Sequence, residues 1–421
     1  MRWRSTRGEA PEVTFREALF AGLAPDGGLY MPGRIAPLPA ELVSALAGRT
    51  VAEVGAEITA HVIGDTIPRD ALARLIADAL DFDIPLVPVG PIHVLELFHG
   101  PTFAFKDVGA RVMARLMAWF VEPGDSLTVL VATSGDTGSA VAQAFAGVAG
   151  TRVVVLYPDG QVSDVQEAQF ATIGGNVQAV AVQGTFDDCQ ALVKAAFSDA
   201  TLRAGVRLTS ANSINVGRLL PQVFYYAWGS VARPGAEWSV PSGNFGNLTA
   251  GLIAKRLGFP IAGFVAATNV NDVVPQYLAS GRYEPRASIR TLANAMDVGA
   301  PSNFERIQAL YDGCLERLRA DVRGAAFADA QVTEAIADVH ARHAYVLDPH
   351  SAIAWLGLRP EPGIVVATAH PAKFRETVEP AIGHAVELPP VLGAALTRPR
   401  LVTRMRPRIA DLRTHLRAAS A

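Results

Sequence analysis

Lys106, Lys194, Lys255 and Lys373 are the only lysines in a chain of 421 residues, so chemistry that needs an amine has few places to find one. Lys106 lies in HGPTFAFKD (99–107), between aromatic and apolar residues. It heads a stretch in which Val108, Val112, Leu116 and Phe120 recur every four residues, a spacing that predicts a helix. Burial disfavours the charged form of an amine, and a neutral amine attacks an aldehyde to form an imine. The same lysine also reads as a helix-start residue with its stem on apolar surface and its head in water. Lys194 in ALVKAAF and Lys255 in LIAKRLG read as helix-surface charges, whereas Lys373 follows a strand end.

Three turns rich in small polar residues accompany it. In VPSGNFGN (240–247), Gly243 and Gly246 allow a tight turn just before a helix, whose first amides lack partners and carry the positive end of the dipole. That is a phosphate cradle or an ordinary strand-to-helix turn; neither GxxxxGK[ST] nor GxGxxG is present. TSGDTG (133–138) offers hydroxyls, a carboxylate and glycines that can grip a carboxylate or ring oxygen, or cap a helix. No GxSxG elbow surrounds Ser134. In SANSINVGRLLPQ (210–222), Asn212, Ser213 and Asn215 precede Arg218, which can chelate phosphate oxygens or sit on the surface after an Asx turn. His340, His343 and His350 lack the glutamate of a zincin and a third ligand, so no metal is expected.

The elements that must position these turns are legible as an alternation. LTVLVAT, TRVVVLYP, NVQAVAVQG, GAEWSVPSG, PIAGFVAATNV and PGIVVATAH are short β-branched runs, each followed by a helical pattern. This predicts an α/β fold of parallel strands with crossover helices, which binds ligands at strand C-termini. Residues 41–80 read as helical with a break at Pro68. The expected organisation is an N-terminal segment (1–95), a smaller α/β domain with Lys106 (96–230) and a larger one with the glycine-rich loop (231–421). At net charge −3 there is no basic field for nucleic acid or acidic membrane, so an anionic substrate needs local donors. Cys189 and Cys314 are expected as small buried residues in a reducing compartment. With no apolar run of membrane-spanning length and no leader-like apolar segment, a cytoplasmic protein is expected.

Taken in order, STRG (5–8), GLAPDGGLYMP (22–32), HGPTFAFKD, ATSGDTG, ANSIN, VPSGNFGNLTAG, ATNVND, NAMDVGAPSNFER, DPHSA and TAHPAKF resemble the threonine synthase family of fold-type-II pyridoxal-phosphate enzymes over nearly the whole chain. The resemblance implies a tryptophan-synthase-β-like fold of two open, parallel-rich sheets with flanking helices and an N-terminal segment. It implies that Lys106 carries pyridoxal 5'-phosphate, that Gly243, Asn244, Phe245, Gly246 and Asn247 wrap its phosphate, and that the Thr368 hydroxyl lies near the pyridine nitrogen. Asp136, Ser134 and Thr137 would face the ring oxygen or the substrate carboxylate, and Asn212, Ser213 and Arg218 the substrate phosphate. The implied reaction is γ-elimination of phosphate from O-phospho-L-homoserine and β-addition of water, giving L-threonine as the last step of its biosynthesis. The alternative is a phospho-lyase releasing 2-oxobutyrate. A dehydratase needs no substrate-phosphate site, and a non-catalytic phosphate-binding protein would not need Lys106. The implied partner is a small molecule, with the chain a monomer or homodimer and no nucleic acid or membrane involved.

Overall fold

A computed structural model describes residues 2–122, 124, 126–358 and 362–418. The β-branched runs form two separate sheets, as their alternation with helices requires. One has five strands, in the order Val402–Met405, Val177–Val182, Thr151–Pro158, Leu127–Ala132, Arg207–Thr209, all parallel. The other has six, in the order Val322–Ala326, Gly263–Thr268, Glu237–Pro241, Ile364–Ala367, Ile92–Glu96, Leu86–Val89, antiparallel only between the last two. The inner strands are buried along their length, which is why they read as continuous apolar runs.

The N-terminal segment packs on this frame. Trp3–Ser5 pairs with Tyr30–Pro32, and Trp3, Phe15, Tyr30 and Met31 are buried in the main core. Thr14 with Glu17, Thr50 with Glu53 and Thr185 with Asp188 close capping boxes that fix where their helices begin. The helical stretch 41–80 divides into Ala40–Ala45, Val51–Ile63 and Arg69–Ala79. Besides the break at Pro68, it is interrupted at Leu46–Thr50, where Gly48 takes φ 76°.

The structure differs from the linear partition at both ends. Ile92–Glu96 lies in the six-stranded sheet beside Ile364–Ala367, although it precedes Lys106. The C-terminal strand Val402–Met405 crosses back to the five-stranded sheet, pairing with Val177–Val182. Neither return is visible in a run of residues, because strand order is set by pairing and not by sequence neighbourhood. Cys189 is buried as expected, but Cys314 is exposed at the N-cap of Leu315–Asp321. Among the described residues no helix is long and apolar enough to cross a membrane.

Candidate active site

The parallel strands Leu127–Ala132, Arg207–Thr209 and Glu237–Pro241 release their C-terminal ends into the three polar turns, as open α/β sheets do at ligand sites. Lys106 is the first residue of helix Lys106–Phe120. The segment before it is zipped onto the turn after Ile364–Ala367. The Phe105 amide donates to the Thr368 carbonyl (2.8 Å), and the His370 amide donates to the Phe103 carbonyl (3.1 Å). Lys106 therefore stands where the chain leaves the six-stranded sheet for a helix packed against Asp136–Phe145, the helix after Leu127–Ala132. Its amine lies 4.3 Å from the Phe105 ring centroid. Burial, opposed by the Asp136 carboxylate and reinforced by Arg218 and Lys373, brings that amine down to about 8.

Asp136 and Lys373 form a buried ion pair of 2.6 Å that joins the helix of one sheet to the turn of the other. Lys373 also donates to the Thr102 carbonyl (2.9 Å), and Gln166 donates to Asp136 (2.9 Å). Burial alone would raise Asp136. The charge and hydrogen bond of Lys373, the Gln166 hydrogen bond and the Lys106 charge instead hold its carboxyl at about 2. Asp107 beside them is raised by burial to about 6, against the pull of Thr102, Lys373 and Arg111. In the sequence Lys373 reads only as a lysine after a strand end. Its burial was hidden because its partner lies 237 positions away on another sheet.

Within TSGDTG the capping work falls to Thr133, whose hydroxyl accepts from the Gly135 (2.9 Å) and Gly138 (2.8 Å) amides. Gly135, at φ 144°, needs to be glycine, since a Cβ there would lie 2.4 Å from the Gln166 side chain. Ser134 is exposed and Thr137 partly exposed, and neither side chain is spent on the cap. Asn212 is spent in part on the Ala132 carbonyl (3.2 Å), and Ser213 accepts from Asn244 Nδ2 (2.8 Å). Asn215 is buried and locks the turn through Leu19, Ser210 and Gly217. Arg218 is buried with one nitrogen on the Ala211 carbonyl (2.6 Å), while its Nε has no acceptor among the described residues. It abuts Gly109, one turn into the Lys106 helix.

The loop Gly243–Asn247 forms the other side of the site. Asn247 is a turn-builder: its side chain accepts from Ser242 and Leu248 and donates to the Pro241 carbonyl. Phe245 is buried in the left-handed region at φ 61°, a conformation that costs a non-glycine residue roughly 1–2 kcal/mol. Among the described residues no acceptor takes the amide hydrogens of Gly243, Asn244, Phe245, Gly246 or Asn247. A run of free amides ending at a helix N-terminus is the donor set an anion requires. Thr368 is buried, and among the described residues no hydrogen bond is made by its hydroxyl. These donors, with a desolvated amine nearby, fit a phosphorylated aldehyde such as pyridoxal phosphate.

Known proteins decide the family. Residues 86–368 match the model of pyridoxal-phosphate-dependent enzymes, residues 2–80 that of the threonine synthase N terminus, and residues 356–416 that of the threonine synthase C-terminal region. The chain is 44% identical to threonine synthase of Haemophilus influenzae, over 96% of this chain and 97% of that one. The chain belongs to the threonine synthase family. Crystal structures of threonine synthase from Escherichia coli (TM-score 0.93, 40% identity, 100% of both chains) and of PLP-bound threonine synthase from Brucella melitensis (0.93, 37%, 100% and 99%) share its fold. The threonine synthase assignment brings pyridoxal phosphate as cofactor and a lyase reaction of threonine biosynthesis. It also covers the stretch beyond Leu388, which carries no chemistry legible in its residues.

The threonine synthase site holds its glycine loop by direct backbone contact. A Cβ on Gly243 would lie 2.7 Å from Met296 Cα and 2.8 Å from the Ala295 carbonyl. That neighbouring turn is fixed in place: the Ala295 amide donates to His350 Nε2 (3.3 Å), and His350 Nδ1 donates to Asp348 (2.6 Å). Overpacking of this kind costs roughly 1–3 kcal/mol. Gly243→Ala is therefore expected to weaken pyridoxal phosphate binding about tenfold with the fold retained. Titration of the apo-protein with cofactor checks it, and unchanged affinity would show that the 294–296 turn yields.

Proposed function

We propose that the chain converts O-phospho-L-homoserine into L-threonine and phosphate, with Lys106 as the covalent seat of pyridoxal phosphate. The observation that carries this is geometric: the Lys106 amine heads a helix that Arg218 also touches, and Arg218 is linked through its own turn to the free amides of Gly243–Asn247. When bound, pyridoxal phosphate supplies the electron sink that makes carbon-bound hydrogens of an amino acid removable. Gly243 to Asn247 would bind its phosphate, and the Thr368 hydroxyl would meet its ring nitrogen. Once the substrate has displaced it, the Lys106 amine is the group placed to take a proton and return it. Arg218 Nε, buried and without an acceptor among the described residues, supports a second anion subsite for the substrate phosphate, with Asn212 and the Ser213 hydroxyl on the same turn. Ser134 and Thr137, uncommitted to the helix cap, would face the substrate carboxylate.

Closure of the lobes carrying the two sheets would exclude water until phosphate has left. Every group named comes from one chain, so the same reading suits a monomer or homodimer working on a small molecule in the cytoplasm. The test is to incubate the holoenzyme with O-phospho-L-homoserine and measure phosphate, threonine and 2-oxobutyrate together. Phosphate and threonine in equal amounts are expected. Phosphate with 2-oxobutyrate, or no product, would overturn the reading.

A further inference from the structure

The motif NAMDVGAPSNFER holds a buried polar atom that has no partner among the described residues. Asn303 is fully buried, and its Nδ2 has no hydrogen-bond partner among the described residues. An unsatisfied buried donor costs roughly 1–3 kcal/mol, so native structures keep few of them. An amide flip does not rescue it. Asn303 Oδ1 accepts from Arg306 Nη1 at 2.6 Å, and Arg306 is committed elsewhere through the Tyr30, Ser213 and Ile214 carbonyls. Turning the amide over would set its N–H₂ against a guanidinium, donor against donor. Arg306 thus dictates where Nδ2 points.

It points at the cradle. Nδ2 lies 3.3 Å from where a Cβ on Gly246 would sit, and Gly246 opens the helix Gly246–Arg256. Two further bonds clamp this stretch to the same loop: the Ser302 amide to Asn244 Oδ1 (2.5 Å) and the Asn303 amide to the Asn244 carbonyl (3.3 Å). A sixth donor therefore joins the five free amides, from the side that a side chain at position 246 would block.

We infer that the side-chain amide of Asn303 is a ligand of the phosphate held by Gly243–Asn247, and that Arg306 is its positioning residue. This rests on the reading that the cofactor phosphate occupies that loop. A neutral amide adds a directed hydrogen bond to the anion without the desolvation cost of another buried charge. Arg306 contributes its charge only at a distance, since its own hydrogens are taken.

The test compares two probes on the apo-protein: pyridoxal phosphate and pyridoxal, which lacks the phosphate. Wild type, Asn303→Ala and Asn303→Asp are titrated with each. Asn303→Ala is expected to weaken pyridoxal phosphate binding about tenfold, the worth of one hydrogen bond to an anion, and to leave pyridoxal binding unchanged. Asn303→Asp keeps the shape and the Arg306 contact but turns the donor into a carboxylate. It should weaken the phosphorylated probe further, again without touching pyridoxal, and shift the phosphorus resonance of bound cofactor. Equal weakening of both probes would make Asn303 a purely structural residue and overturn the inference, as would no change in either. If wild type itself does not favour the phosphorylated probe, the loop is not the cofactor's phosphate site, and that separate failure is recognisable before any variant is made.

Discussion

Lys106→Ala is expected to lose the covalent attachment of pyridoxal phosphate and to lower turnover by roughly four orders of magnitude, the upper range for removing a proton-transfer group. Borohydride reduction of the holoenzyme followed by peptide mapping should place the cofactor on the peptide containing Lys106 in wild type and on none in the variant. Lys373, the lysine that is fully buried in the site, provides the control. Lys373→Ala should still give the Lys106 adduct, and an adduct on Lys373 would overturn the assignment.

The same residue gives a pH profile with a definite sign. Only the neutral amine attacks an aldehyde, and burial lowers Lys106 from 10.5 to about 8. Cofactor capture by the apo-protein should rise roughly tenfold per pH unit below that point and flatten above it. An ordinary lysine would keep rising far beyond. The Asp136 carboxylate opposes this lowering, so Asp136→Asn should move the plateau to lower pH.

What was legible in the sequence follows from how each element is buried. The inner strands Leu127–Ala132, Thr151–Pro158, Glu237–Pro241 and Ile364–Ala367 are covered on both faces, and their apolar runs announce them. Three strands that the pattern did not announce, Arg207–Thr209, Val322–Ala326 and Val402–Met405, lie at sheet edges. They keep exposed residues such as Arg323 and Arg404, and an edge has neither the length nor the burial to write a pattern. The candidate site divides in the same way. Local chemistry marks the loops, since glycines and small polar residues cluster at strand ends. Partners that meet only after folding leave no local trace. Asp136 reads as a residue for cofactor or substrate, yet it is pinned by Lys373. Asn247 reads as a phosphate ligand, yet its side chain is consumed in building the turn. Asn303 carries no signal beyond its presence in a family motif.

The Asp136–Lys373 pair should carry the largest stability effect of any single contact in the site. Removing one partner of a buried pair strands the other charge, which costs roughly 3–5 kcal/mol, whereas removing both together costs much less. Lys373→Ala is therefore expected to lower the urea midpoint sharply, and Asp136→Asn with Lys373→Met to recover most of the loss. The pH dependence separates this from simple loss of packing. Asp136 is lowered from 3.8 to about 2 in the folded chain, so its ion pair stabilises fully above about pH 4. That contribution fades as pH falls through about 2, where the carboxyl is protonated with or without Lys373. The gap in stability between wild type and Lys373→Ala should accordingly be widest near neutrality and narrow in acid. A gap that stays constant down to the acid limit would mean that Lys373 contributes by filling space. The pair also joins the two sheets, and Lys106 feels both of its members. Loss of either should therefore shift the pH profile of cofactor capture, in opposite directions: upward for Lys373→Ala, downward for Asp136→Asn.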